Sequence, residues 1–270
     1  MYSINIIVYS NREPFNSTKK LLIETITNFT DKNVIIHDYD ENRIKNSEWY
    51  DEIKNLPNVT GVTGGKNGWS GRRDGYYNCW KPFIVNEVYK NINKGDILYY
   101  VDSSQYYKTG FTENINKLCD IVLKYGIIAG SVGKDITNNK YGCCDNLNVW
   151  NKILYNRNNS KILNNMHILN SWFILVKNNI NTYFLRDWTY WSVYKDDELK
   201  NPLVTYHHTA DQSIFNILVY RYNFRVFYHP KIGHNENKDR NIVLNIINND
   251  VNAEKYFILL ENYTRKKNIK

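Results

Sequence analysis

Short apolar runs alternate along this chain with segments of helical periodicity. Runs typical of strands cover residues 4–10, 33–40, 96–102, 126–132, 168–178 and 225–229. Segments with apolar positions at helical spacing cover residues 17–29, 82–93, 112–125, 179–194, 209–222 and 250–264. Alternation of this kind predicts an α/β fold, in which helices flank a mostly parallel central sheet.

The length of the chain favours one domain. Its 270 residues, of which 42% are hydrophobic, are enough to build one large core. We expect this single domain to span residues 1–264, with an irregular insert between about 132 and 165. A basic tail at 265–270 would follow it.

Charge and cysteine usage argue against several classes of protein. The net charge is +8, but four positive charges lie in the tail, which leaves +4 for the domain. Charged termini are usually solvated, so we expect no nucleic-acid partner. The sequence shows no apolar run of membrane-spanning length and no signal peptide. With four cysteines and no CxxC pair, the chain is expected to be cytoplasmic, in the producing cell or in a host cell.

An apolar strand that ends in a carboxylate is the first candidate site. The run Ile97–Val101 is followed directly by Asp102, Ser103 and Ser104. In open α/β sheets, ligands bind beyond the carboxyl ends of the strands, so this carboxylate would face a cleft. Carboxylate oxygens suit Mg²⁺ or Mn²⁺. The alternative is that Asp102 caps the following turn, and its position alone does not separate the two interpretations.

A glycine-rich segment, residues 61–82, is the second candidate. It holds six of the 13 glycines and the adjacent pair Arg72 and Arg73. Glycine lets backbone amides approach a ligand, and arginine pairs well with phosphate oxygens. By itself the segment is more typical of a surface loop. However, Tyr76, Trp80 and Lys81 stand where it meets a helix, and helix N-termini favour anions.

The third candidate is the polar start of a predicted helix, within "HHTADQSIFNIL" at residues 207–218. A carboxylate such as that of Asp211 interacts favourably with the helix dipole in any protein. The dipole does not explain why His208 and Gln212 occur beside it. His234 lies in a later polar segment, "KIGHNENK". Lone histidines are most often structural, and the grouping rather than any one residue is the signal.

Three of these stretches together resemble one family. "GYYNCWKPFIVNEVYKNINKGDILYYVDSS", "NSWFILVKN" and "HHTADQSIFNILVYRY" are similar, in this order, to blocks of certain GT-A-fold glycosyltransferases. Such enzymes occur in bacterial polysaccharide clusters and in large DNA viruses. The resemblance implies a single GT-A-like, Rossmann-like domain. It also implies transfer of a sugar from a nucleotide donor, by analogy a UDP-sugar, to a glycan or glycoprotein acceptor.

The resemblance further implies roles for individual residues. Asp211 and Gln212 would be catalytic and face the sugar and acceptor. A divalent ion, Mn²⁺ or Mg²⁺, would be held by Asp102, Ser104 and His234, where Ser104 replaces the second Asp of the family's Asp-x-Asp. The residues implied in donor binding are Tyr9, Ser10, Arg72, Arg73, Tyr76, Trp80, Lys81, Asp102, Ser103, Ser104 and His208. Because Ser104 is a weaker ligand, the alternative is a catalytically weak module that binds a glycan or nucleotide.

Overall fold

A twisted six-stranded sheet forms the centre of the protein. The computed structural model describes residues 2–11, 13, 15–28, 33–56, 79–101, 103, 105–107, 111–135, 152–154, 167–194, 210–222, 224, 226–228, 241–242 and 260–262. Its strands are β1 (Ile4–Tyr9), β2 (Val34–Tyr39), β3 (Ile97–Tyr100), β4 (Gln105–Tyr107), β5 (Ile127–Asp135), β6 (His167–Val176), β7 (Val226–Tyr228), β8 (Asn241–Ile242) and β9 (Leu260–Asn262). The central sheet has the order β2-β1-β3-β6-β5-β7.

Five strands of this sheet run in the same direction. Strand β1 is parallel to β2 and to β3, and β7 is parallel to β5. Strand β6 is antiparallel to both of its neighbours, β3 and β5. The prediction of an α/β fold with a mostly parallel sheet is therefore confirmed. We call the edge at which the five parallel strands finish the carboxyl edge, and the opposite one the amino edge.

The described helices are α1 (Phe15–Asn28), α2 (Glu41–Lys45), α3 (Tyr50–Ile53), α4 (Trp80–Asn91), α5 (Phe111–Tyr125), α6 (Asn179–Ser192) and α7 (Ala210–Arg221). All six residues of β1 are buried, because helices cover both faces of the sheet. Side chains on one face of β1 pack with α4, α6 and α7, and those on the other face pack with α1 and α5. None of these described helices is long and apolar enough to cross a membrane.

The directions of the helices follow from contacts at the amino edge. There the hydroxyl of Tyr89, near the end of α4, donates to the carbonyl of Asn178 at 2.7 Å. Asn178 is the N-cap of α6, and its Oδ1 accepts from the amide of Asn181 at 2.8 Å. Helix α4 therefore runs from the carboxyl edge to the amino edge, and α6 runs back. Helix α7 again runs down toward β7, so its first turn lies at the carboxyl edge.

The structure corrects the predicted elements at several places. Residues 260–262 form strand β9, whereas the periodicity predicted a helix over 250–264. Strand β9 pairs antiparallel with β4 and β8, in a small sheet whose first strand follows β3 closely. Helix α4 begins two residues before the predicted start, and β5 extends to Asp135, three residues into the expected insert. The extent of the single domain remains a prediction.

Candidate functional site

The topology of the sheet predicts where a ligand would bind. From β1, the chain continues to β2 on one side and to β3 on the other. A crevice opens beyond the carboxyl ends of the strands at such a switch in strand order. Strand β1 ends there at Tyr9 and β3 at Tyr100. Helix α4 also begins at this edge, and it brings Trp80 and Lys81 to the same place.

Tyr9 and Trp80 pack directly against each other. Their ring centroids are 4.0 Å apart, with an angle of 42° between the ring planes. Tyr9 is 8% exposed and Trp80 is 4% exposed. At this separation no third ring fits between them, so the pair cannot hold a nucleotide base between its two rings. Their proximity agrees with the sequence-based expectation that both belong to one site.

The indole N–H of Trp80 is a buried donor without an acceptor. Trp80 Nε1 has no hydrogen-bond partner among the residues that the structure describes. Leaving a buried donor unsatisfied costs about 1–3 kcal/mol. The N-cap position before it is Cys79, whose side chain makes no capping hydrogen bond to α4. The start of this twelve-residue helix therefore combines backbone N–H groups that Cys79 does not cap with a side-chain donor that lacks a partner.

Lys81 places a buried positive charge in the same turn of helix. Its side chain is 4% exposed. The ammonium lies 4.9 Å from the centroid of the Tyr100 ring, and that ring stacks on Phe173 at 5.7 Å and 11°. A charge over an aromatic face gains a cation–π attraction that offsets part of its lost hydration. Together with the positive end of the helix dipole, Lys81 makes this corner suited to an anion.

Ser10 connects the end of β1 to the first turn of α1. Its Oγ donates to Asn16 Oδ1 at 2.7 Å, and its amide donates to the carbonyl of Tyr39 at 3.2 Å. Ser10 is buried, so this hydroxyl orders the loop at the floor of the crevice. A role in direct donor contact stays a prediction.

Sequence reasoning missed an ion pair at the same edge. Lys19 Nζ lies 2.5 Å from Asp38 Oδ1 and 3.1 Å from the carbonyl oxygen of Tyr39. The side chain of Lys19 is largely buried, whereas that of Asp38 is half exposed. The rule that singled out Asp102, a carboxylate at the end of an apolar strand, also applies to Asp38 at the end of β2. Applied to every strand, it would have singled out Asp38, although not its partner Lys19.

A second indole near the edge has a partner. Trp49 Nε1 donates to Glu87 Oε2 at 2.5 Å, and the hydroxyl of Tyr39 donates to Glu87 Oε1 at 3.0 Å. Burial, reinforced by the carboxylate of Glu87, raises the pKa of Tyr39. The hydroxyl therefore remains a donor at every physiological pH. Glu87 thus has both oxygens satisfied, which contrasts with the indole of Trp80.

The remaining predicted site residues divide into two groups. Asp211 and Gln212 lie in the first turn of α7, which brings their backbone to the carboxyl edge, and Ser103 is buried in the turn after β3. Outside the described residues lie Arg72, Arg73, Tyr76, Asp102, Ser104, His208 and His234. Within the described part of the chain, no three His, Cys, Asp or Glu side chains cluster in a way that could hold a metal ion. The metal site therefore stays a prediction.

Comparisons with known proteins find similarity only at the level of structure. No family model and no curated protein matches the chain. The chain is similar to apo WbbM, a bifunctional glycosyltransferase, at 14% identity and a TM-score of 0.46, over 85% of this chain and 39% of that one. It is similar to the apo form of mouse xyloside xylosyltransferase 1 at 9% identity and a TM-score of 0.45, over 84% of each chain.

A third similar structure is that of galactosyltransferase LgtC in complex with donor and acceptor sugar analogs. The identity is 13% and the TM-score 0.41, over 79% of this chain and 70% of that one. All three neighbours are glycosyltransferases, the class that the sequence resembles. The chain spans 39% of the length of WbbM, so the activity of the whole WbbM protein is not attributed to this chain.

Proposed function

We propose that this protein is a glycosyltransferase that takes a sugar from a nucleotide diphosphate sugar, a UDP-sugar in the first instance, and passes it to a glycan or glycoprotein. The observation that carries the proposal is the start of α4 at the carboxyl edge. There an N-cap without a side-chain capping bond, the buried ammonium of Lys81 and the unpartnered indole of Trp80 occur in one turn. This is a donor-rich corner for a diphosphate.

The chemistry of sugar transfer explains why such a corner is useful. As the bond between the anomeric carbon and the phosphate oxygen breaks, negative charge grows on the leaving diphosphate. Donors and cations that are already in place stabilise this charge without reorganisation. Lys81 and the N-terminus of α4 supply both. A divalent ion held by Asp102, Ser104 and His234 would add to the compensation when bound.

Asp211 is the proposed partner of the acceptor. If the reaction inverts the anomeric centre, a carboxylate must take the proton of the acceptor hydroxyl. The first turn of α7 brings the backbone of Asp211 to the carboxyl edge, which supports this proposal. If the reaction retains the anomeric configuration, Asp211 orients the donor sugar instead. Gln212, next to it, would contact the sugar or acceptor.

Nucleotide binding is the first test. Thermal unfolding would be followed with UDP, GDP, CMP and dTDP, each with Mn²⁺ and with EDTA. A nucleotide at a hundred times its dissociation constant stabilises the folded state by about 2.7 kcal/mol. In a chain of this size that raises Tm by roughly 5–10 °C. A selective shift of this order is expected for UDP, and the absence of a shift with every nucleotide would contradict the proposal.

Turnover separates the enzyme from the alternative, a module of the same fold that only binds. Ser104, in place of a second carboxylate, is the observation that favours this alternative. Release of sugar and UDP from a panel of UDP-sugars is expected for wild type. Asp102→Ala should keep the fold and abolish release. UDP binding without release from any donor would identify the binding module, and full activity of Asp102→Ala would remove Asp102 from the site.

A further inference from the structure

A partly exposed cluster of aromatic side chains lies at the end of α6. The ring centroids of Tyr190, Trp191 and Tyr194 are 4.8–5.6 Å apart, and the angles between the ring planes are 51–81°. Tyr190 is 55% exposed, whereas Trp191 is partly buried and packs against the core. We call these three residues the α6 aromatic cluster. A partly exposed group of aromatic rings that is anchored in this way is a candidate interaction surface.

The cluster lies at the same edge of the fold as the proposed donor site. Helix α6 starts at the amino edge beside the end of α4, and its fourteen residues bring Ser192 back to the carboxyl edge. One turn before its end, Trp188 packs edge-on against Phe173 at 5.5 Å, and Phe173 stacks on Tyr100. Tyr100 is the residue whose ring lies beneath Lys81. A continuous series of aromatic contacts thus leads from the donor corner to the helix turn that bears the cluster.

The composition of the cluster points to a carbohydrate. Tyrosine and tryptophan offer flat apolar faces, which cover the C–H faces of sugar rings, and carry a hydroxyl or N–H at the ring edge for sugar hydroxyls. They also provide contact area at a low cost in side-chain entropy. The ammonium of Lys152, 6.0 Å from the centroid of the Tyr194 ring, adds a hydrogen-bond donor at the margin. Tyrosine and tryptophan are also enriched at protein interfaces, and the position of the cluster at the same edge as the proposed donor site is what favours a glycan.

We infer that the α6 aromatic cluster binds the acceptor as an oligosaccharide, by stacking sugar units that lie beyond the reacting one. This inference rests on the proposed function, because the cluster matters for transfer only if the carboxyl edge holds the donor. It deepens that proposal, since it makes the acceptor an extended glycan rather than a single sugar. The bound chain would run from the crevice across the end of α6.

The chain offers a matched control. Tyr183 lies on the same exposed side of α6 and is 53% exposed, but it is two helical turns closer to the amino edge than Tyr190. Its ring faces the guanidinium of Arg186 at 5.2 Å and is not part of the cluster. Tyr183→Ala and Tyr190→Ala remove the same side chain from equally exposed positions of one helix. They differ in whether the cluster is broken.

The test measures saccharide binding without a donor. Chitotetraose, maltotetraose, cellotetraose and mannotetraose would be titrated into wild type, Tyr190→Ala, Tyr190→Phe and Tyr183→Ala by calorimetry. At least one of them should bind wild type and Tyr183→Ala equally. Tyr190→Ala should bind it about tenfold more weakly, or worse, as expected for loss of an aromatic anchor. Tyr190→Phe should keep most of the affinity, because the ring is retained.

Several outcomes would overturn the inference. They are no binding of any of the four saccharides, unchanged binding by Tyr190→Ala, or equal losses in Tyr190→Ala and Tyr183→Ala. A dimer of wild type that Tyr190→Ala dissociates, with no saccharide binding, would assign the cluster to a second copy of the chain. The UDP-induced shift in Tm, measured on the same variants, keeps the proposed function separate. It should be equal in all four proteins, and its absence from wild type would instead contradict the donor site.

Discussion

Replacing Trp80 by phenylalanine tests whether its indole N–H is kept for a ligand. The change removes the unpartnered Nε1 and retains an aromatic ring beside Tyr9, whose centroid is 4.0 Å away. Trp49→Phe is the matched control. It makes the same change in size at an indole whose N–H already donates to Glu87, and whose ring lies 5.2 Å from that of Phe83.

The two variants should differ in stability without a ligand. Trp80→Phe removes a buried unsatisfied donor, which destabilises the wild-type fold by about 1–3 kcal/mol. The smaller ring also loses a packing contribution of similar size, so the two effects nearly cancel. Its free energy of unfolding should therefore stay within about 1 kcal/mol of wild type. Trp49→Phe loses packing and also a hydrogen bond to a charged group, which contributes about 1.5–3 kcal/mol. It should be less stable by roughly 3 kcal/mol.

Nucleotide affinity should show the opposite order. If Trp80 donates to a diphosphate oxygen, its loss costs about 1.5–3 kcal/mol of binding, which raises the Kd for UDP from about tenfold to more than a hundredfold. Trp49→Phe should leave that Kd unchanged. Calorimetric titration with UDP and urea unfolding measure the two quantities. Wild-type affinity in Trp80→Phe, or an equal loss in both variants, would refute the assignment of the indole to the ligand.

Three further changes test what holds the fold together, each by chemical unfolding. Burial raises the pKa of Asp96, but hydrogen bonds from Ser3 and Asn93 outweigh this and hold the pKa below its usual value. Since the unfolded chain then binds the proton more readily, Asp96 stabilises the fold above about pH 4 and less as the pH falls further. Asp96→Asn should lower the free energy of unfolding by about 2 kcal/mol at pH 7 and by less at pH 3, and a pH-independent loss would contradict this. Phe173→Ala removes a ring from the buried core and should lower the free energy of unfolding by about 3–5 kcal/mol. A loss below 1 kcal/mol would show that neighbouring side chains move in to fill the space. Gly126→Ala should lower the free energy of unfolding by about 1–2 kcal/mol, because the backbone at this position has a φ of +87°. The added Cβ would meet only ordinary contacts, so unchanged stability would contradict a strained backbone there.

The sequence was most informative where one local rule decides the structure. The apolar runs of β1 and β3 were predicted correctly, because strands covered on both faces must be apolar throughout. It was the family resemblance, and not these runs, that implied one donor site for Tyr9 and the Asp102 segment. The proximity of Trp80 to Tyr9 also follows, because the helix before β3 must start where β1 ends.

The sequence was least informative where distant contacts decide. Strand β9 has three residues and pairs with β4, which is far away in sequence, as well as with β8. A helical pattern over 250–264 outweighed that pairing in the prediction, since periodicity reports only local preferences. The pair Lys19 and Asp38 was missed for a related reason. It joins α1 to the end of β2, and although Asp38 follows the same rule as Asp102, no local pattern connects it with Lys19.

Buried polar atoms without partners are concentrated on one layer of the described structure. They belong to Trp80 in α4, Asn181 and Ser192 in α6, and Asn216 in α7, which are the helices that cover one face of the sheet. Asn181 has a structural reason to be there, because its Nδ2 donates to the carbonyls of Gly126 and Val176.

Trp80 has no such compensation within the described residues, since the indole N–H is its sole polar group. Phenylalanine would serve the packing against Tyr9 without leaving a buried donor unsatisfied. Natural sequences tend to break local rules at functional sites, where binding or catalysis offsets the loss of stability. If the proposed function holds, the ligand explains why tryptophan occupies this position, in the first turn of the helix that begins at the proposed diphosphate site.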